Sequence, residues 1–147
     1  MIAVRVQPEV FDAVAEIAAL TAGRRDVGAV VSFTGIVRAD DGLTALTLEH
    51  YPAMTGRVIA KVAAQAEARW PVTGGVVVHR VGRLLPGDAI VLVAVASPHR
   101  TAAFQAAEFL IDWLKTKAPF WKHEEVGGKT RWVAAKESDD GAAARWS

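Results

Sequence analysis

Four short stretches of the chain carry side chains whose types and spacing could do chemistry. Ser97-Pro98-His99-Arg100 stands just before an apolar-periodic segment. If a helix begins there, its free backbone N–H groups and positive dipole end join a ring donor and a fixed cation. That combination is a ready anion site, well suited to phosphate. The same residues also fit a plain structural role, with His99 capping the helix and Arg100 paired to a surface carboxylate. Lys115 and Lys122 make the second group. On a helical wheel Lys115 falls near Phe104 and Ile111, at the margin of the apolar face, where a wall of low polarity can lower an ammonium pKa and fit it for proton transfer. Lys122 follows Pro119-Phe120-Trp121, read as a rigid turn with two aromatic anchors. Against this stands the simpler reading, in which Lys115 complements a helix C-terminus and Lys122 is a solvated loop charge.

Arg38 is the third candidate, closing a valine-rich strand and opening a polar turn. Strand ends are where scaffolds present functional groups, although an ordinary surface arginine has the same signature. Glu49-His50 reads as a wet-face pair rather than an acid–base dyad. Trp113, Trp121 and Trp132 read as core or interface residues rather than stacking platforms.

These groups need elements to hold them. Ile2–Val6 alternates like a short strand, and Pro8 suits the first turn of a helix that puts Val10, Val14, Ile17 and Ala18 on one face and stops at Gly23. Val27–Val37 reads as a buried strand broken at Gly35. The turn Arg38–Gly42 then leads into Leu43–Tyr51, a hairpin partner with Leu46 and Leu48 on its dry face. Thr55 can cap a second helix reaching Trp70, ended by Pro71. Val76–Val81 and Ala89–Ala96 are two more strands, joined by a turn in which Asp88 serves the backbone. A third helix runs over Thr101–Lys117, with Ala103, Ala107, Leu110, Ile111 and Leu114 inward; Pro119 prevents its continuation. A last strand is expected over Arg131–Ala135, before a polar tail, Glu137–Ser147. The order β-α-β-β-α-β-β-α-β has too few helices for a doubly wound sheet. It implies an α+β fold with a mostly antiparallel sheet and three main helices, in a single domain over 1–147.

Composition narrows the function. The chain has 147 residues, 52% apolar and 22% charged, which is ordinary globular material. No apolar run is long enough to span a bilayer and no signal-peptide layout opens the chain, so a cytoplasmic protein with no membrane contact is expected. There is no cysteine, hence no disulfide, thiolate metal site or cysteine nucleophile; any sulfur the reaction moves must arrive on a partner. The four histidines lack metal-ligand spacing. A net charge of +1 argues against nucleic acid, yet residues 115–136 hold six lysines or arginines against two glutamates. A local basic cluster on a near-neutral chain suits a compact anionic ligand.

In order and surroundings, these segments resemble the large subunit of molybdopterin synthase. The likeness is carried by Gly28-Ala29-Val30-Val31-Ser32-Phe33-Thr34-Gly35-Ile36-Val37-Arg38, by Leu46 through Met54, by His79-Arg80-Val81-Gly82 with Pro86-Gly87-Asp88, by His99-Arg100 with Ala103-Phe104, and by Asp112 through Glu124. Ala118-Pro119-Phe120-Trp121-Lys122 is the most specific of them, and coverage runs from about residue 27 to 137. The resemblance implies an α/β-hammerhead fold and a homodimer within a heterotetramer. Each copy would hold a small ubiquitin-like sulfur-carrier subunit whose C-terminal Gly-Gly is a thiocarboxylate. The small-molecule substrate would be cyclic pyranopterin monophosphate, and no cofactor is implied. Carried over by position, Lys115 and Lys122 look like the catalytic pair. Ile36, Val37, Arg38, His99, Arg100, Lys115, Lys122, His123 and Glu124 look like substrate contacts. Two departures stand out: the turn after Arg38 is short, and His123 occupies a position where lysine or arginine is common, making one charge titratable. A rival from another class is a non-catalytic assembly factor that binds the same carrier; the intact lysine pair favours the enzyme.

Overall fold

The computed structural model describes residues 1–133 together with Ala144 and Trp146. The chain runs β1 (Ile2–Gln7), α1 (Ala13–Thr21), β2 (Ala29–Ile36), β3 (Leu43–His50), α2 (Pro52–Arg69), β4 (Gly74–Arg80), β5 (Gly82–Leu84), β6 (Ala89–Ser97), α3 (Arg100–Thr116), β7 (Phe120–Val126) and β8 (Lys129–Val133). Two four-stranded sheets result, ordered β1-β4-β6-β2 and β5-β3-β7-β8. Only β1 with β4 is parallel. The α+β class with three helices is therefore the one the sequence implied.

The first sheet is a layer covered on both faces, which explains why β4 and β6 read as near-continuous valine runs. Period-2 alternation sends Val77, Val91, Val93 and Val95 to one face, against Ile59, Val62 and Ala66 of α2 and Ala106, Phe109 and Leu110 of α3. Val76, Val78, Leu92 and Ala94 face the other way, onto Phe11 and the α1 residues Ala13, Ile17 and Leu20. The second sheet packs across the end of the first through Val37, Leu48 and Leu84. Trp146 packs on the outer side of the helices, edge-on to Trp70 and Phe109, with its indole N–H donating to Asp112.

Several local expectations are corrected. Helix α1 starts at Ala13 rather than near Pro8, because the Asp12 carboxylate accepts from the Ala15 N–H at 3.1 Å and caps it there. Val10 and Val14 are consequently exposed, at 77% and 78%. Thr55 is not a cap: α2 begins at Pro52, and the buried Thr55 hydroxyl donates to the Tyr51 carbonyl inside the first turn. No hairpin joins β2 and β3. They belong to different sheets, since Val37 N–H bonds the Asp88 carbonyl and the Gly87 N–H bonds Val37 O, tying the end of β2 to the β6 side. The 3-10 turn at Asp40–Gly42, with Asp41 at φ 54°, then carries the chain to the second sheet. Phe120–Val126 is a strand rather than a turn and loop, and β5 was unanticipated. The expected last strand is present to Val133; its final two positions, and nearly all the tail, lie outside the described residues.

One glycine sets how closely α3 begins. Gly28 N–H bonds the Ser97 carbonyl at 3.0 Å, and a Cβ at Gly28 would overlap the Pro98 carbonyl oxygen. Gly28→Ala must therefore push the start of α3 away from β2. A loss of about 1–3 kcal/mol is expected in urea unfolding, the usual cost of forcing backbone apart. Unchanged stability would mean this approach is looser than described.

Candidate active site

Helix α3 is 17 residues long and packs antiparallel to β6, so its two ends lie at opposite ends of the first sheet. Its N-terminal end presents His99 and Arg100, both exposed, beside Gly28. His99 occupies the N-cap position without any side-chain capping bond, so the capping role considered for it is absent. The C-terminal end presents Lys115, which is exposed and lies next to the start of β6. At 1.5 Å per residue, Arg100 and Lys115 stand about 22 Å apart along the helix.

A cavity of about 270 Å³ opens at the Lys115 end. Its walls come from Leu46 and Leu48 of β3, Ile90 and Val91 of β6, Ile111 and Leu114 of α3, and Phe120 of β7. Lys115, Lys122 and His79 are its ionisable lining. Strand β7 brings Lys122 there because it pairs antiparallel with β3, Leu48 opposite Lys122 and His50 opposite Phe120. Alternation then places Phe120, Lys122 and Glu124 on the cavity side of the sheet. Glu124 does not line the cavity itself; its carboxylate lies 3.8 Å from the Arg131 guanidinium.

The other face of β7 carries Trp121 and His123. His123 faces away from Lys122, its ring 3.5 Å from that of Trp132 and its Nε2 3.6 Å from the Glu49 carboxylate. That distance is too long for a hydrogen bond. Within one chain His123 therefore lies against Glu49 and Trp132, two residues of an outer groove that also includes His50, Tyr51 and Trp121, and not in the lysine cavity. Arg38 sits at the cavity end of the first sheet, because Ile36 pairs with Ala89, next to the cavity residue Ile90. Its guanidinium is exposed and paired with Asp40 at 3.1 Å. Ile36 is 55% exposed, whereas Val37 is 4% exposed, its side chain closed into the core and its backbone groups spent on Asp88 and Gly87.

One residue of this site escaped the sequence reading. His79 is 8% exposed and stacks on Phe120, ring centroids 4.1 Å apart at 23°. Its Nδ1 lies 2.8 Å from the Arg80 carbonyl, so it carries the proton and donates. Burial first, then the nearby charges of Lys115, Lys122 and His50, lower its pKa to about 4, even though the Arg80 carbonyl favours the protonated ring. The alternation of β4 was the available signal: His79 shares a face with Val77 and should be buried with it.

One end of the chain thus combines a lysine pair, apolar walls and a neutral imidazole, and the other end a histidine–arginine pair. The description "MoaE protein" is the family that matches, over residues 6–117. The chain belongs to the MoaE family. The molybdopterin synthase catalytic subunit of Mesorhizobium japonicum is 57% identical to it, covering 97% of this chain and 92% of that protein. The MoaE structure from Burkholderia ambifaria superposes with a TM-score of 0.85 at 49% identity, covering 99% of this chain and 98% of that one. A complex of subunits 1 and 2 of molybdopterin-converting factor from Helicobacter pylori superposes with a TM-score of 0.69 at 25% identity, covering 92% and 90%.

Buried His79 also makes stability depend on pH. Between pH 6.5 and about 4 the unfolded chain binds a proton that the folded chain refuses. Stability should therefore fall as pH drops through that window and level off below it, by about 3 kcal/mol at most at 1.36 kcal/mol per pKa unit. His79→Phe should lose correspondingly less stability between pH 7 and pH 4. Parallel pH–stability curves for the two proteins would show that His79 is not the titrating group.

Proposed function

We propose that the chain works as the catalytic subunit of a cytoplasmic molybdopterin synthase, using the thiocarboxylate at the Gly-Gly terminus of a small ubiquitin-like carrier to put sulfur on cyclic pyranopterin monophosphate. The product is the dithiolene of molybdopterin. The observation that carries this reading is the apolar-walled cavity lined by Lys115 and Lys122 in a chain without cysteine. Two ammonium groups there can neutralise a thiocarboxylate, offset charge developing at the attacked carbon and pass protons as the cyclic phosphate opens. Low polarity around them strengthens those interactions, and with no thiol of its own the chain leaves sulfur delivery to the carrier.

Arg38, at the same end, suits the substrate's anionic group, with Ile36 beside it and Glu124 two residues beyond Lys122. His99 and Arg100 are too far from the cavity to reach the same small molecule within one chain. The reading therefore includes a homodimer in which a second copy brings its own His99 and Arg100 to the substrate phosphate, one carrier binding to each copy in a heterotetramer. Surface chemistry supports the dimer: β2 is an edge strand with Phe33 and Ile36 exposed, and the neighbouring α3 exposes Phe104 at 61%. Exposed apolar surface beside an unpaired edge is what a partner would cover.

Reconstitution with thiocarboxylated carrier and the cyclic pterin tests the reading. Lys115→Ala should abolish dithiolene formation while keeping the fold, since the side chain is exposed and little packing is lost. Arg100→Ala should weaken substrate binding roughly ten- to a hundredfold, as for a lost charge-assisted bond to phosphate, and spare the carrier. Mixing the two variants, at a substrate concentration too low for Arg100→Ala alone to turn over, separates the dimer from a self-contained chain. If each site uses Lys115 from one copy and Arg100 from the other, random reassortment restores about a quarter of wild-type activity, because half the dimers regain one of two sites. No recovery after demonstrated subunit exchange would place both residues in one chain's site.

A further inference from the structure

We infer that His79 is a specificity-determining residue of the lysine cavity, its Nε2 accepting a hydrogen bond from a backbone N–H of the inserted Gly-Gly tail. This rests on the carrier reading above and assigns that tail a contact of its own.

The imidazole is fixed on two sides. Its face lies on Phe120, at 4.1 Å, and its Nδ1–H is held by the Arg80 carbonyl at 2.8 Å. With Nδ1 protonated and committed, Nε2 carries the ring's lone pair and has no hydrogen-bond partner among the described residues. The ring is 8% exposed and lines the cavity, and Nε2 is not among the fully enclosed orphan atoms, so it opens on the cavity, where a ligand donor or water can reach it. The groups facing it are Lys115 from α3, Lys122 from β7 and His50 from β3, while Val91 from β6 and Val6 from β1 add no charge. These neighbours and its burial keep the ring neutral across the physiological range, so Nε2 accepts there while Nδ1–H stays on the Arg80 carbonyl.

The shape of the cavity selects the donor. At about 270 Å³, walled by leucine, isoleucine and phenylalanine side chains, it favours a slender ligand. The two lysines call for an anionic end group, and the acceptor beside them calls for an N–H close to that end. An extended main chain without side chains provides both, because a C-terminal glycine has its amide nitrogen two bonds from its carboxyl carbon. A residue with a Cβ would have to push the apolar walls apart. Two glycines thus satisfy the width, the charge and the donor together.

The test uses the full chain and a short synthetic peptide ending in Gly-Gly carboxylate, its affinity measured directly and by competition with intact carrier. Two ester analogues replace the N–H of the last or the penultimate glycine by oxygen. One of them should bind wild type about tenfold more weakly than the amide, the size of a lost buried hydrogen bond. His79→Phe, which keeps a ring on Phe120, should bind the amide peptide about tenfold more weakly and should not distinguish it from either ester. His79→Gln, which restores an acceptor without the ring, should recover discrimination; it also keeps the test decisive should the Phe variant fold poorly. Equal binding of amide and both esters by wild type, or the same ester penalty in wild type and His79→Phe, overturns the assignment of His79 alone. Failure of wild type to bind the amide peptide while binding no carrier either overturns the carrier reading, and this inference falls with it.

Discussion

The placement of both candidate clusters depends on the antiparallel packing of α3 against β6. Both are long, and the same face of β6 that buries Val91, Val93 and Val95 receives Ala106, Ala107, Phe109 and Leu110. Small side chains on the helix let it lie close to the sheet, and dispersion over so many contacts makes the pair rigid. A rigid helix is also a spacer. It delivers Lys115 to one end of the first sheet and His99-Arg100 to the other, and no side-chain rotation closes a gap of about 22 Å. The separation of these two candidate clusters is therefore built into the core.

The second sheet completes one of those clusters. Helix α3 ends at Thr116, and the chain turns through Pro119 into β7, which pairs with β3 and carries Lys122 back beside Lys115. Phe120 is the joint. Its stacking on His79 connects the first residue of β7, in the second sheet, to the penultimate residue of β4, in the first. On its other side His50, 6.0 Å away, is held by the buried Thr55 hydroxyl. His79 and Phe120 thus form a ring-lined part of the cavity wall that Lys115 and Lys122 share. Choosing histidine for that wall avoids a third cation, since its burial opposes protonation.

On the outer face of β7 the chemistry is different. Glu49, His50, Tyr51, Trp121 and Trp132 form a groove that mixes aromatic rings with one carboxylate, Tyr51 meets Trp121 edge-on at 5.2 Å, and the His123 ring lies against Trp132. A single strand therefore serves two unlike surfaces. Lys122 and His123, adjacent in sequence, are parted by the pleat.

Much of this was legible in the residues. Valine runs announced β2, β4 and β6 as strands, and the helical spacing of Ala103, Ala107, Leu110 and Leu114 announced α3 and its buried face, because burial must follow the 3.6 and 2.0 periods of the backbone. Asp88 held its turn as its type implied, its carboxylate accepting from the Leu85 N–H at 2.8 Å. The lysine pair, Arg38 and the His99-Arg100 pair were all marked by residue type and surroundings. Other features were settled only by long-range packing. Phe120–Val126 is rich in charge and follows a proline, so nothing local distinguishes a strand from a loop; its partner β3 lies about 70 residues earlier and decides the matter. The same pairing turned His123 away from the cavity, and the bonds from Val37 to Gly87 and Asp88 replaced an expected hairpin with a change of sheet. His79 looked like one more scattered histidine until Phe120 and two lysines were brought against it. Sequence determined which groups were available and which faces were buried, since those depend on neighbours along the chain. Which groups meet was decided by the tertiary structure, through strand pairing and the fixed length of a packed helix.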